Sequence, residues 1–169
     1  MFNIFITNLG KYNEGFLIGE WLELPTTDED IEACLERIGI NDYCEEYFIT
    51  DYENDFGYEV PEYVNLEELN DIAEQLEDAD PDIVKAANYF YCDIDEAMEH
   101  LDDIMYVTTL GTFETEAEAI GYYYANEVGC LDIPEAIENY FDYESYGRDI
   151  MIEGSFYTAD DGSIYELVA

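Results

Sequence analysis

The acids of this sequence are spread along the whole chain instead of being gathered in a tail. Residues 1–61 hold 15 acids and 2 bases, residues 62–104 hold 15 and 1, and residues 105–169 hold 14 and 1. Any compact form of such a chain draws like charges together and repels itself. Many very acidic chains stay disordered, because they lack the apolar surface that would offset the entropy lost on ordering. Here 49% of residues are hydrophobic and 16% aromatic, with 17 Tyr and 9 Phe. The chain is therefore read as folded, carrying a formal net charge of -40. Such a field repels nucleic acid and anionic membranes and attracts basic protein surfaces. Function is the simplest compensation for the self-repulsion; a halophile-type solubility surface is the alternative.

The periodicity predicts an α+β chain of three small units. In residues 1–61, Phe2–Asn8 reads as a strand, 9–15 as a turn, Phe16–Leu24 as a second strand stopped by Pro25, and Glu46–Tyr52 as a third. Between them Thr26 and Glu29 have capping-box spacing, and Ile31, Cys34, Leu35 and Ile38 form one apolar stripe ended by Gly39. Residues 62–103 read as a helical unit with a very acidic outer face. Asn65 caps a helix carrying Leu66, Leu69, Ile72, Ala73 and Leu76; Asp80-Pro81 opens the next; Asp93 opens a third through Leu101. Residues 104–169 return to α+β: a strand at 104–110, a helix from a Thr115/Glu118 capping box to about Val128, and a short helix at 134–141. Two strands follow, Arg148–Thr158 and Ser163–Val168, joined around Asp161-Gly162.

Few arrangements here suggest chemistry. Asp51, Glu53, Asp55 and Glu62 are spaced like the start and end of a calcium loop, but Phe56 stands where the sharp turn needs Gly, and Pro61 precedes the last ligand. These four are read as solvated or mimic surface. The single histidine, His100, reads as an ion-paired helix-end residue. Cys34, Cys44, Cys92 and Cys130 form no CxxC pair and read as buried free thiols of a cytosolic protein. No nucleophile–base signature and no phosphate-cradling glycine loop followed by Lys occurs. No metal, cofactor or catalytic residue is expected, and no apolar run approaches the length of a membrane helix. The tyrosines are the other signal. Tyr122, Tyr123 and Tyr124 cannot all face one core from a helix, and Tyr140, Tyr143 and Tyr146 are spaced by three. Packing or a protein interface would explain them.

Two segments resemble the ArdA antirestriction proteins. One is Ile6–Trp21, with 8–15 (Asn-Leu-Gly-Lys-Tyr-Asn-Glu-Gly) and 19–21 (Gly-Glu-Trp). The other is Asn139–Asp149, similar to the family's antirestriction-motif region through Asn139, Tyr140, Asp142, Tyr143, Tyr146, Gly147, Arg148 and Asp149. Length, order and acidity extend the resemblance over the whole chain. It implies a DNA mimic of mobile elements, elongated in three parts and homodimeric through its C-terminal part. That protein would act in the cytoplasm by occupying the DNA-binding groove of type I restriction–modification enzymes. Duplex DNA carries about one charge per 1.7 Å of axis, so 40 charges correspond to about 20 base pairs, and a dimer to about 40. Candidate mimic acids are Glu67, Glu68, Asp71, Glu74, Glu77, Asp78, Asp95, Glu96, Glu99, Asp102 and Asp103. The competing expectation is a generic acidic binding protein or chaperone for basic partners.

Overall fold

A computed structural model describes residues 1–41 and 45–168; Cys44 lies outside the described residues. The fold is α+β, and its contacts divide it into two compact units, Met1–Pro81 and Asp82–Ala169. The three helices read from sequence as one central unit are shared between them: α3 (Leu66–Glu77) belongs to the first, and α4 (Pro81–Tyr91) and α5 (Ile94–Glu99) to the second, but for Pro81.

The first unit is built on a three-stranded antiparallel sheet, with β1 (Phe2–Asn8) between β2 (Gly19–Glu23) and β3 (Tyr47–Asn54). Alternation along β1 sends Phe2, Ile4 and Ile6 to one face, where all three are buried. Leu22 and Leu24 join them there, and the face is covered by α2 (Asp28–Arg37) and α3 through Ile31, Cys34, Leu69, Ala73 and Leu76. The segment after β1 is a short helix, α1 (Leu9–Asn13), and not the turn the sequence suggests. Asn8 explains it: its side chain accepts from the Lys11 amide at 2.9 Å and donates to the Ile38 carbonyl at 3.1 Å. The cap of α2 falls one residue later than predicted. Thr27 accepts from the Asp30 amide, while the Thr26 amide is already held by Asn70 of α3 at 2.8 Å. Gly39 ends the helix region at φ +84°, a backbone that glycine adopts without strain.

The second unit also holds a three-stranded antiparallel sheet, but its last strand is central, with β6 (Ser163–Leu167) between β4 (Ile104–Thr109) and β5 (Ser155–Thr158). Adjacent residues of β6 enter two different cores. Ile164 packs with Val107, Ala119 and Ile120 on one face; Tyr165 packs with Ala86, Ala87, Ala97 and Ile104 on the other. Helix α6 (Glu116–Tyr122) and the one-turn π-helix after it, Tyr123–Glu127, follow the Thr115 cap, whose hydroxyl accepts from the Glu118 amide at 3.1 Å. A four-residue helix, α7 (Glu135–Glu138), comes next. The Asp161-Gly162 hairpin forms as expected, with Gly162 at φ +88° and the Asp161 carboxylate accepting from the Ser163 amide and hydroxyl.

A further predicted element is wrong. The strand read at Arg148–Thr158 is a strand only from Ser155; residues Tyr143–Glu153 form α8. Asp142 caps it, Glu144 and Arg148 pair one turn apart, and α6 packs along it. The run Ile150-Met151-Ile152 suits a strand by residue type, but the local cap and the packing against α6 decide for helix. The thiols also depart from expectation: Cys34 is buried, whereas Cys92 and Cys130 are exposed.

Candidate acidic interface and motif region

Helix α3 carries a run of exposed acids. Its buried stripe is Leu66, Leu69, Ala73 and Leu76, which leaves Glu67, Glu68, Asp71, Glu74 and Glu77 exposed, followed by Asp78 at the C-cap. Six carboxylates over eleven steps of about 1.5 Å give roughly one charge per 3 Å of axis. One strand of duplex DNA carries about one phosphate per 3.4 Å. No Lys or Arg occurs in the helix. A second acidic stretch, Asp95, Glu96, Glu99 and Asp102, is also exposed, on α5 and the 3₁₀ turn after it. Asp103 differs from its neighbours. It is half-buried and accepts from the His100 Nδ1–H at 2.9 Å and the Tyr91 hydroxyl at 3.3 Å, while the His100 ring stacks on Tyr91 at 4.7 Å.

The four cations do little to reduce the field. Lys11 pairs with Glu14, Arg37 with Glu20, Lys85 with Asp82 and Arg148 with Glu144. All four are thus engaged by acids of their own chain, and four cations cannot balance 44 acids.

The calcium-like stretch is mostly strand β3, which runs to Asn54. Asp55 is held by the N-terminal ammonium at 2.7 Å. Among the described residues no group of three or more His, Cys, Asp or Glu could hold a metal ion. Nor is any helix among them long and apolar enough to cross a membrane.

The motif region spans a turn and the first half of α8. Asn139 and Tyr140 lie in the turn, with Tyr140 87% exposed. Asp142 accepts from the Ser145 hydroxyl at 2.7 Å and the Ser145 amide at 2.9 Å, and these bonds hold its carboxyl below the usual carboxylate range. Tyr143 sits between Phe141 and Tyr122, with ring centroids at 4.9 and 5.3 Å, and its hydroxyl is buried without a hydrogen-bond partner among the described residues. Tyr146 packs edge-on to Phe141 at 5.9 Å, and burial pushes its phenol pKa up. Arg148 and Asp149 are exposed.

Gly147 has the most restrictive role. A Cβ placed there would lie 1.7 Å from the Ala117 carbonyl oxygen, and one at Gly121 would lie 2.0 Å from the Tyr143 carbonyl oxygen. Helices α6 and α8 thus touch backbone to backbone through two glycines. The sequence reading missed Gly121; an isolated glycine inside a helical pattern is the signal that marks such a close approach. The consecutive tyrosines diverge as a helix requires. Tyr122 faces Phe113 and Tyr143, whereas Tyr124 donates to the Glu166 carboxylate, and its phenol pKa is pushed up by burial first and by that carboxylate second.

The open face of the first sheet went unremarked in sequence. In register across the three strands stand Trp21, Phe5 and Asp51. Trp21 and Phe5 meet edge-on at 5.4 Å, and Tyr12 meets Phe48 at 5.2 Å. They line a groove of about 730 Å³.

The family model described as antirestriction protein (ArdA) matches residues 4–165. No curated protein matches the chain.

Proposed function

The chain belongs to the ArdA antirestriction family, and from that premise we propose that it inhibits type I restriction–modification enzymes by presenting carboxylates in their DNA-binding groove. The observation that carries this reading is α3: six outward acids at about the axial spacing of one strand's phosphates, with no cation among them. A groove lined with Lys and Arg responds at long range to the sign and density of charge, whether phosphate or carboxylate supplies it. The mechanism is competitive occupancy without covalent chemistry, in the cytoplasm where restriction acts. The motif region serves the fold, since Gly147 closes the α6–α8 contact and Asp142 starts α8.

A homodimer through the C-terminal part belongs to the same proposal. Val128, Leu131, Ile137, Tyr140 and Ile152, all in the last third of the chain, are exposed, and an interface between two copies would take such residues out of water. Light scattering at micromolar concentration is expected to give twice the chain mass; a monomer would remove this part of the proposal.

The test of the mimic is competition between the purified protein and a DNA duplex for a type I enzyme at two salt concentrations. Exposed charge contacts are individually weak, and screening spans about 8 Å at physiological salt. Changing Glu67, Glu68, Asp71 or Glu74 singly to its amide is expected to leave inhibition nearly unchanged. Changing all four together is expected to weaken it several-fold to about 100-fold, chiefly through slower association. One amide substitution that abolished inhibition in a folded protein would replace the distributed field by a local hot spot.

A further inference from the structure

We propose that the open face of the N-terminal sheet is a docking groove for an extended protein segment that presents arginine and apolar side chains on the same face. This goes beyond charge mimicry, because it is short-range recognition on a different surface, and it does not depend on the antirestriction reading. The register of β1, β2 and β3 places Trp21, Phe5 and Asp51 side by side; in the next row stand Gly19, Thr7 and Phe48, where Thr7 and Phe48 are buried and close that end of the groove. Gly19 shapes the groove. A Cβ there would lie 2.7 Å from the Phe5 ring and 2.6 Å from the Ile6 carbonyl oxygen, so the glycine leaves the room that the ring takes. The aromatic surface is accessible, with Trp21 44% exposed and Leu17 68% exposed. Asp51 and Glu62 also line the groove, and no Lys or Arg does.

That combination selects the occupant. An arginine side chain can lay its guanidinium on an aromatic face while its N–H groups reach a carboxylate, and the pairing strengthens as water leaves. Apolar residues two positions along the segment, which project to the same face as the arginine, would bury Leu17 and the ring edges. About 730 Å³ lies in the roughly 300–1,000 Å³ range of pockets that hold drug-sized ligands, so a few side chains fit and a folded domain does not. Exposed rings can also stack nucleic-acid bases, but such sites pair the rings with cations that hold phosphate, and this lining has carboxylates instead. A second copy of the chain would bring another formal charge of -40 to the same acids.

Trp21 is the only tryptophan, so its fluorescence reports the groove directly. The probes are a capped peptide with arginine and leucine taking turns on one face and serine at the positions between them, its arginine–serine counterpart with each leucine changed to serine, and a single-stranded oligonucleotide. Titrations run in about 0.5 M sodium chloride, where screening shortens to about 4 Å and the diffuse field fades. The arginine–leucine peptide is expected to shift Trp21 emission saturably, and the arginine–serine peptide to bind at least about tenfold more weakly. Leu17→Ala should weaken the first peptide about threefold, and D51N combined with E62Q about tenfold, with circular dichroism unchanged. The proposal is overturned if the two arginine peptides respond alike, if both responses vanish at that salt, if the oligonucleotide shifts Trp21, or if emission changes with protein concentration alone. None of these outcomes bears on inhibition of a restriction enzyme, so the mimic stands or falls separately.

Discussion

The two sheets of this protein share a plan and differ in how they are covered. Each has three antiparallel strands with its longest-range pairing through a central strand, β1 in one and β6 in the other. In β6 the neighbours Ile164 and Tyr165 are both buried, on opposite faces, because α6 and α8 lie on one side and α4 and α5 on the other. In β1 the neighbours Ile4 and Phe5 have different fates. Ile4 is fully buried beneath helices, while Phe5 faces the groove. A sheet covered twice can spend its apolar residues on stability alone. The second face of the first sheet is open around Phe5 and Trp21 although Thr7 and Phe48 on that face are buried, and the open part keeps surface for a partner.

The sharpest way to break this contrast is to truncate the second-face residue in each sheet. Tyr165→Ala should destabilise the C-terminal unit by about 3–5 kcal/mol, as for large aromatics removed from a core. Phe5→Ala should cost only about 1 kcal/mol, because its face is half open. Urea denaturation of both variants checks this, and equal losses would mean that the groove is core in solution.

Gly147→Ala comes next, at about 3 kcal/mol, because the added methyl meets the Ala117 backbone and the helices must separate. Hydrogen exchange should show β4, β5 and β6 losing protection while β1, β2 and β3 keep theirs. Uniform loss across both sheets would show that the units do not unfold independently.

The smallest effect concerns Asp142. Its folded carboxyl pKa lies below the ordinary 3.8, so its capping contribution is present above that value and is lost as the pH falls through the lower folded value. D142A should therefore melt earlier than the native protein at pH 7, and the gap should close in acid. A gap that persisted at pH 2 would mean that the carboxylate charge plays no part.

How much was legible beforehand depended on the range of the interaction. The caps at Asn65, Asp93 and Thr115 were readable, because each bond joins residues two or three apart. So was the Asp161-Gly162 hairpin, where the turn residues themselves supply the conformation. At α8 the same local signals existed, in Asp142 with Ser145 and Glu144 with Arg148. They were outweighed by an aliphatic run that suits a strand.

The acidity, the starts of α3, α5 and α6 and the apolar stripes were therefore already settled by residue identity and spacing. What awaited the folded chain was coverage: which sheet face lies under helices, and where Gly121 meets Gly147. Local hydrogen bonds are written in neighbouring residues, but burial depends on segments far apart in the chain. Phe5 and Tyr165 are both aromatic residues on central strands, and nothing in either stretch states whether a helix will pack above it.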